Sequence, residues 1–119
     1  MQRTVLKSKI HRARVTNVLM DYEGSIEIDE NLMDEVNIST YEQVHVFNIN
    51  NGNRFITYVI PGLRGDRVIS INGAAARLAQ INDRIIIVAY GIISVDQNIA
   101  TPKVLVLDEK NQVNNKKRI

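Results

Sequence analysis

Apolar residues recur at every second position through much of this chain, the period of strands with one face on a core. Ala13 and Val15 alternate with Arg12, Arg14 and Thr16, Ile26 and Ile28 with Glu27 and Asp29, and Val44 and Val46 with His45 and Phe47. Asn50-Asn51-Gly52-Asn53 follows. Asn-Gly favours a tight hairpin, because both residues tolerate positive φ. The next strand is expected from Arg54 to Ile60, with Pro61-Gly62 as a turn. Val68 to Ile71 reads as a short strand stopped by Asn72-Gly73. Ile85 to Ala89 is apolar on both faces and predicts a buried central strand. Ile92 to Val95 and Val104 to Leu107 complete the strands. Helical signal is thin: Asp29 can cap a short helix with Leu32, Met33 and Val36 inward, and Ala74 to Leu78 can form one or two turns.

Many short strands around one small core predict a mainly β chain closed as a barrel, without saying which barrel. A single domain is expected over residues 1–108, with 109–119 as a frayed polar tail. The 119 residues, 45% of them hydrophobic, suffice for one compact domain. No apolar run approaches the roughly 20 residues that span a bilayer, and the N-terminus lacks the apolar centre of a signal peptide. Membrane partners are therefore not expected. Cysteine is absent, which excludes disulfides and thiolate metal sites and is compatible with a reducing cytoplasm. The two histidines, His11 and His45, are far apart, and no cluster has metal-ligand spacing.

The net charge of +2 is misleading as a guide to partners. Lys116, Lys117 and Arg118 end the tail; removing these three from the 15 basic residues leaves 12 against 13 acids. The body of the chain then offers poor support for a nucleic-acid face.

Candidate chemistry centres on Glu23-Gly24-Ser25. The Ser25 hydroxyl can reach the Gly24 carbonyl carbon through a five-membered ring, converting the amide to an ester. The amide is normally the more stable linkage, so the fold must strain the peptide and stabilise the oxyanion. Glycine upstream tolerates strained φ/ψ and does not crowd the carbonyl. Alone, the pair is usually just a turn between two strands. Downstream, Arg54 and Tyr58 share a strand face, since strand side chains alternate. The Arg54 guanidinium suits a carboxylate, and the Tyr58 phenol is neutral near pH 7 and able to give a proton. Thr57 falls on the opposite face, to be reconciled by a bulge or by a site shared between subunits. Asn72-Gly73-Ala74-Ala75-Ala76 offers backbone N–H groups at a turn into a helix.

Taken together, Lys9, His11, Tyr22-Glu23-Gly24-Ser25-Ile26, Arg54, Thr57, Tyr58 and Asn72 to Ala76 resemble the pyruvoyl-dependent aspartate 1-decarboxylases over roughly residues 1–107. The resemblance implies a small six-stranded double-psi β-barrel with short helices. It implies self-cleavage between Gly24 and Ser25 into residues 1–24 and 25–119, with Ser25 becoming a pyruvoyl group. A substrate amine then forms a Schiff base with that ketone, and L-aspartate loses CO2 to give β-alanine for pantothenate and coenzyme A synthesis. Neither metal nor pyridoxal phosphate is implied.

Tyr58 is implied as the proton donor. Arg54, Thr57, Asn72, Gly73, Ala74, Ala75 and Lys9 are implied in substrate binding, and His11 and Tyr22 in support of processing. Sites between subunits of a cytoplasmic homotetramer are implied as well. Phe47 reads as a hydrophobic wall, and His45 has no motif support. The rival reading is a non-catalytic β-barrel module binding nucleic acid or protein through Arg12, Arg14 and the basic tail. With six Phe and Tyr in all and no Trp, it lacks the aromatic stripe of single-strand binders.

Overall fold

The computed structural model describes residues 1–117, with side chains through Asn114. Its strands are β1 (Gln2–Arg14), β2 (Asn17–Leu19), β3 (Ser25–Asp29), β4 (Gln43–Asn48), β5 (Arg54–Gly62), β6 (Ile69–Asn72), β7 (Arg84–Ser94), β8 (Lys103–Leu107) and β9 (Val113–Lys117). One α-helix, α1 (Glu30–Val36), and one 3-10 helix (Gly73–Leu78) accompany them. The mainly β class with short helices is the one the two-residue period predicts.

The strands pair in the order β2-β6-β3-β5-β4-β7-β1-β8-β9. The pairs β1–β8, β2–β6 and β3–β5 are parallel and the others antiparallel. The ladder bends round on itself, because β1 continues into β2 through Val15 and Thr16 alone. The Thr16 N–H donates to the Ile69 carbonyl at 2.8 Å, and the Thr16 hydroxyl accepts from the Ile69 N–H at 3.0 Å. The described pairings wrap one core without closing a ring of strands. Ile10, Ile26, Ile28, Ile69, Ile71, Ile85, Ile87, Leu105 and Leu107 are all buried in that core. Each such side chain contributes roughly 1.5–3 kcal/mol on removal from water.

Helix α1 starts where Asp29 predicts. The buried Asp29 carboxylate accepts from the Asn31 N–H at 2.9 Å, which caps the helix, and from Gly65 and Arg67 N–H groups at 3.2 and 2.8 Å. Leu32, Met33 and Val36 point inward, and Asn37 ends the helix at φ 58.

Several boundaries differ from the sequence reading. Pro61-Gly62 is not a turn but the end of β5, paired with Ile28 and Asp29. The pairing of β5 with β4 has already ended at Tyr58, so the missing N–H of Pro61 leaves no ladder bond unmade. The turn comes later, where Asp66 N–H donates to the Leu63 carbonyl at 3.1 Å. The two strands expected over 85–95 are one, β7, running between β1 and β4.

The frayed tail expected from 109 onward is instead a turn and strand β9 through Lys117, antiparallel to β8. Arg118 and Ile119 lie outside the described residues. Asn111 anchors the turn and is fully buried. Its amide oxygen accepts from the Arg14 N–H at 2.7 Å, and its NH2 donates to the Arg14 and Arg67 carbonyls at 2.9 and 3.0 Å. Backbone N–H groups of Gln112 and Lys110 donate to the Asp108 carboxyl and hold it below the usual carboxylate range.

Candidate active site

Ser25 opens β3 and pairs in the ladder with Asn72, the last residue of β6. In β6, Ile69 and Ile71 join the core, so alternation sets Ser70 and Asn72 on the other face with Ser25. Ser25 and Asn72 are 1% exposed and Ser70 2%, so their polar atoms need partners within the protein. They find one another: Ser70 Oγ donates to Asn72 Oδ1 at 2.8 Å, and Asn72 Nδ2 donates to Ser25 Oγ at 3.0 Å. From Ser25 Oγ to the Glu23 carbonyl is 3.5 Å, too long for a strong bond. The Ser25 oxygen is thus held by a donor, while its own proton is weakly held.

Gly73 brings the Gly24 segment onto this pair. Its φ is +77°, and a Cβ there would sit 2.6 Å from Gly24 Cα, 2.8 Å from Gly24 N and 3.0 Å from the Tyr22 carbonyl oxygen. Only a glycine lets the two backbones approach so closely. The close approach is therefore set by Gly73; a Cβ on Gly24 would meet nothing within 4 Å. Asn72 stands at the N-cap of the 3-10 helix without a side-chain capping bond, its amide being turned to Ser25 and Ser70. Gly73 is buried, Ala75 half-buried and Ala74 exposed.

On β5, Phe55, Thr57 and Val59 alternate with the more exposed Arg54, Ile56 and Tyr58. The β4–β5 register runs unbroken from Phe47↔Arg54 to Gln43↔Tyr58, so no bulge turns Thr57 toward Tyr58. Ile26 pairs with Val59 across the parallel β3–β5 ladder. Continuing that register by one pair sets Ser25 level with Tyr58, on the face opposite the core.

Tyr58 also meets the Tyr41 ring edge-on, at 6.4 Å between centroids. Arg54 is four residues away, about 13 Å along the strand. Its guanidinium lies over the Phe47 ring at 4.2 Å, which makes Phe47 a platform for Arg54. His45 packs between Phe47 and Tyr90 at 6.4 and 5.1 Å, an aromatic contact with no link to Ser25.

One chain therefore gathers Tyr22, Gly24, Ser25, Asn72 and Gly73, with Ser25 and Tyr58 each one residue before the first β3–β5 pair. Ala74 and Ala75 follow Gly73 in the same 3-10 helix, while Lys9 and His11 lie elsewhere in the strand order. Lys9 pairs with Val88 and Val104, and His11 with Val106, on β1, which β5, β4 and β7 separate from β3 in the ladder. Among the described residues no cluster of three His, Asp or Glu could hold a metal, and no helix is long and apolar enough to cross a membrane. Ser70 was absent from the sequence-based site. The signal was there in the alternation of Ile69-Ser70-Ile71-Asn72, which puts two small polar residues on one face.

A model of the aspartate decarboxylase family matches residues 1–114. Aspartate 1-decarboxylase of Bacillus cytotoxicus is 52% identical over 114 residues, covering 95% of this chain and 90% of that one. Aspartate 1-decarboxylase 2 of a Polaromonas species is also 52% identical, over 113 residues, covering 94% and 90%. Among solved structures, the computationally designed protein msDPBB_sym2 superposes with a TM-score of 0.47 at 17% identity, over 71% of this chain and 96% of that one.

Proposed function

Because this chain belongs to the aspartate decarboxylase family, we propose that it is made as a precursor, cleaves itself between Gly24 and Ser25, and then converts L-aspartate to β-alanine and CO2. The buried Ser25 hydroxyl, held by Asn72 beside a Gly24 backbone packed on Gly73, is the observation that carries this reading.

Ser25 Oγ attacks the Gly24 carbonyl carbon. The Gly24–Ser25 C–N bond breaks, and the hydroxyl proton ends on the Ser25 nitrogen, which gives an ester. Loss of the Ser25 Cα proton breaks the Cβ–Oγ bond and releases Gly24 as a carboxylate. Water then displaces the residue-25 nitrogen as ammonia and leaves a ketone. The neutral, buried hydrogen-bonding neighbours of Ser25 suit such a group. A pyruvoyl ketone supplies an electron sink for an amine losing CO2, so neither an added metal nor pyridoxal phosphate is called for.

The remaining roles belong to side chains. Tyr58, level with Ser25, would give a proton to the carbon that loses CO2. Arg54 would hold the carboxylate that stays, with Lys9 as a second cation, His11 and Tyr22 supporting processing, and Thr57, on the other face of β5, reaching substrate in a site shared between subunits. The amides of Gly73, Ala74 and Ala75 have no Asn72 cap and suit a carboxylate.

Arg54 and Tyr58 share an exposed face with Ile56, and Tyr90 and Ile92 are also exposed, at 57%, 40% and 67% for the three apolar neighbours. That apolar exposure supports a homotetramer in which a second copy completes the site. In the cytoplasm the β-alanine would feed pantothenate and coenzyme A synthesis. Borohydride added with aspartate is expected to attach substrate covalently at residue 25 and abolish β-alanine formation, with no loss on treatment with a chelator. Inactivation by the chelator, with borohydride harmless, would overturn the reading.

A further inference from the structure

Ser70 has no role in the steps above, yet it is buried and two hydrogen bonds from the attacking oxygen, through Asn72. The two ends of an asparagine amide have nearly the same shape, so its orientation is chosen by its partners. Here Ser70 Oγ donates to Asn72 Oδ1, which leaves Asn72 Nδ2 facing Ser25 Oγ. With the amide reversed, the oxygen would face Ser25. It would accept the hydroxyl proton and hold it away from the Ser25 nitrogen, where that proton must go when the Oγ–C bond forms and the C–N bond breaks.

We propose that Ser70 is a positioning residue for self-cleavage, acting through Asn72, a role that rests on the self-cleavage reading itself. By donating to Asn72 Oδ1, Ser70 occupies the amide oxygen and leaves the NH2 for Ser25 Oγ. One lone pair of that oxygen stays available for the Gly24 carbonyl carbon, and its proton stays weakly held. Ser70 pairs in the ladder with Glu27, beyond the scissile bond, and its hydroxyl donates to Asn72. Its effect belongs to maturation.

The test follows cleavage of the freshly synthesised full chain by intact mass over time, with Ser25→Ala as the uncleaved control. Ser70→Ala is expected to cleave about tenfold more slowly, the scale of one lost positioning hydrogen bond. In an Asn72→Ala background the same change should slow cleavage no further, because residues acting as one chain are not additive. Should Ser70→Ala fail to fold, the isosteric pair decides: Ser70→Thr, which keeps the hydroxyl, should cleave near the parent rate and Ser70→Val slowly. Parental cleavage by Ser70→Ala, equal rates for the Thr and Val variants, or the same slowing with and without Asn72 would overturn the role of Ser70 while leaving self-cleavage intact. A parent chain that never cleaves overturns both.

Discussion

Arg54 and Tyr58 divide the work expected of β5. Tyr58 lies level with Ser25, and Tyr58→Phe removes only the phenolic proton. Turnover should fall on the order of a hundredfold to ten-thousandfold. Cleavage at Gly24–Ser25 should continue, since the proton is needed only after CO2 leaves. Steady-state kinetics on chains shown by mass to be cleaved makes that separation; turnover at the parent rate would leave Tyr58 as a surface tyrosine. The Arg54 guanidinium sits over Phe47 and offers two parallel hydrogen bonds to a carboxylate. Arg54→Ala should cost several kcal/mol in kcat/KM, roughly the 2–5 kcal/mol of breaking a buried charge pair. Arg54→Lys should fall between, keeping the charge and losing the fork. Near-parental kcat/KM in Arg54→Ala would move the role to another cation, Lys9 first.

At the scale of elements, what could be read in advance followed from how regular each strand is. β3, β4 and the first part of β5 alternate cleanly, and that alternation placed Arg54 and Tyr58 on one face and Thr57 on the other. Asp29 marked α1 because its cap is local. The first half of β1 could not be read so easily: the β1–β7 register shifts between Leu6 and Ser8 and again between Ile10 and Ala13, where Arg12 takes φ 66, which breaks the two-residue period. β9 has little apolar alternation of its own. Its turn is tied down by Asn111, whose partner Arg14 is 97 residues away, a contact no local pattern announces. Ser70 was missed for a related reason, since its partner Asn72 points at a residue on another strand.

Asn111→Ala should therefore strand the Arg14 N–H and the Arg14 and Arg67 carbonyls, and lower unfolding stability by roughly 2–4 kcal/mol. A urea titration measures it. An unchanged midpoint would show that the hairpin from Asp108 to Lys117 is not a fixed part of the fold.

For the molecule as a whole, a cut between residues 24 and 25 falls where the fold can bear it. Residues 1–24 carry β1 and β2; β1 pairs with β7 and β8, and β2 with β6, all from the other fragment. The short fragment should stay in place by those ladders and by the Asn111 contacts to Arg14. Native protein would then run as one folded species, and only denaturation would separate the pieces. The same architecture puts β5, β4 and β7 between Ser25 and the strand of Lys9 and His11, and sets Arg54 four residues from Tyr58 along β5, so a neighbouring copy is proposed for substrate binding and not for cleavage.

Cleavage itself is thus the central claim, and intact mass under denaturing conditions tests it most directly, on the purified parent beside Ser25→Ala. The parent should give a 24-residue fragment and a 95-residue fragment blocked at its N-terminus, and Ser25→Ala one uncut chain of 119 residues. A parent that stays whole, or a Ser25→Ala chain cut at the same bond, would contradict the account.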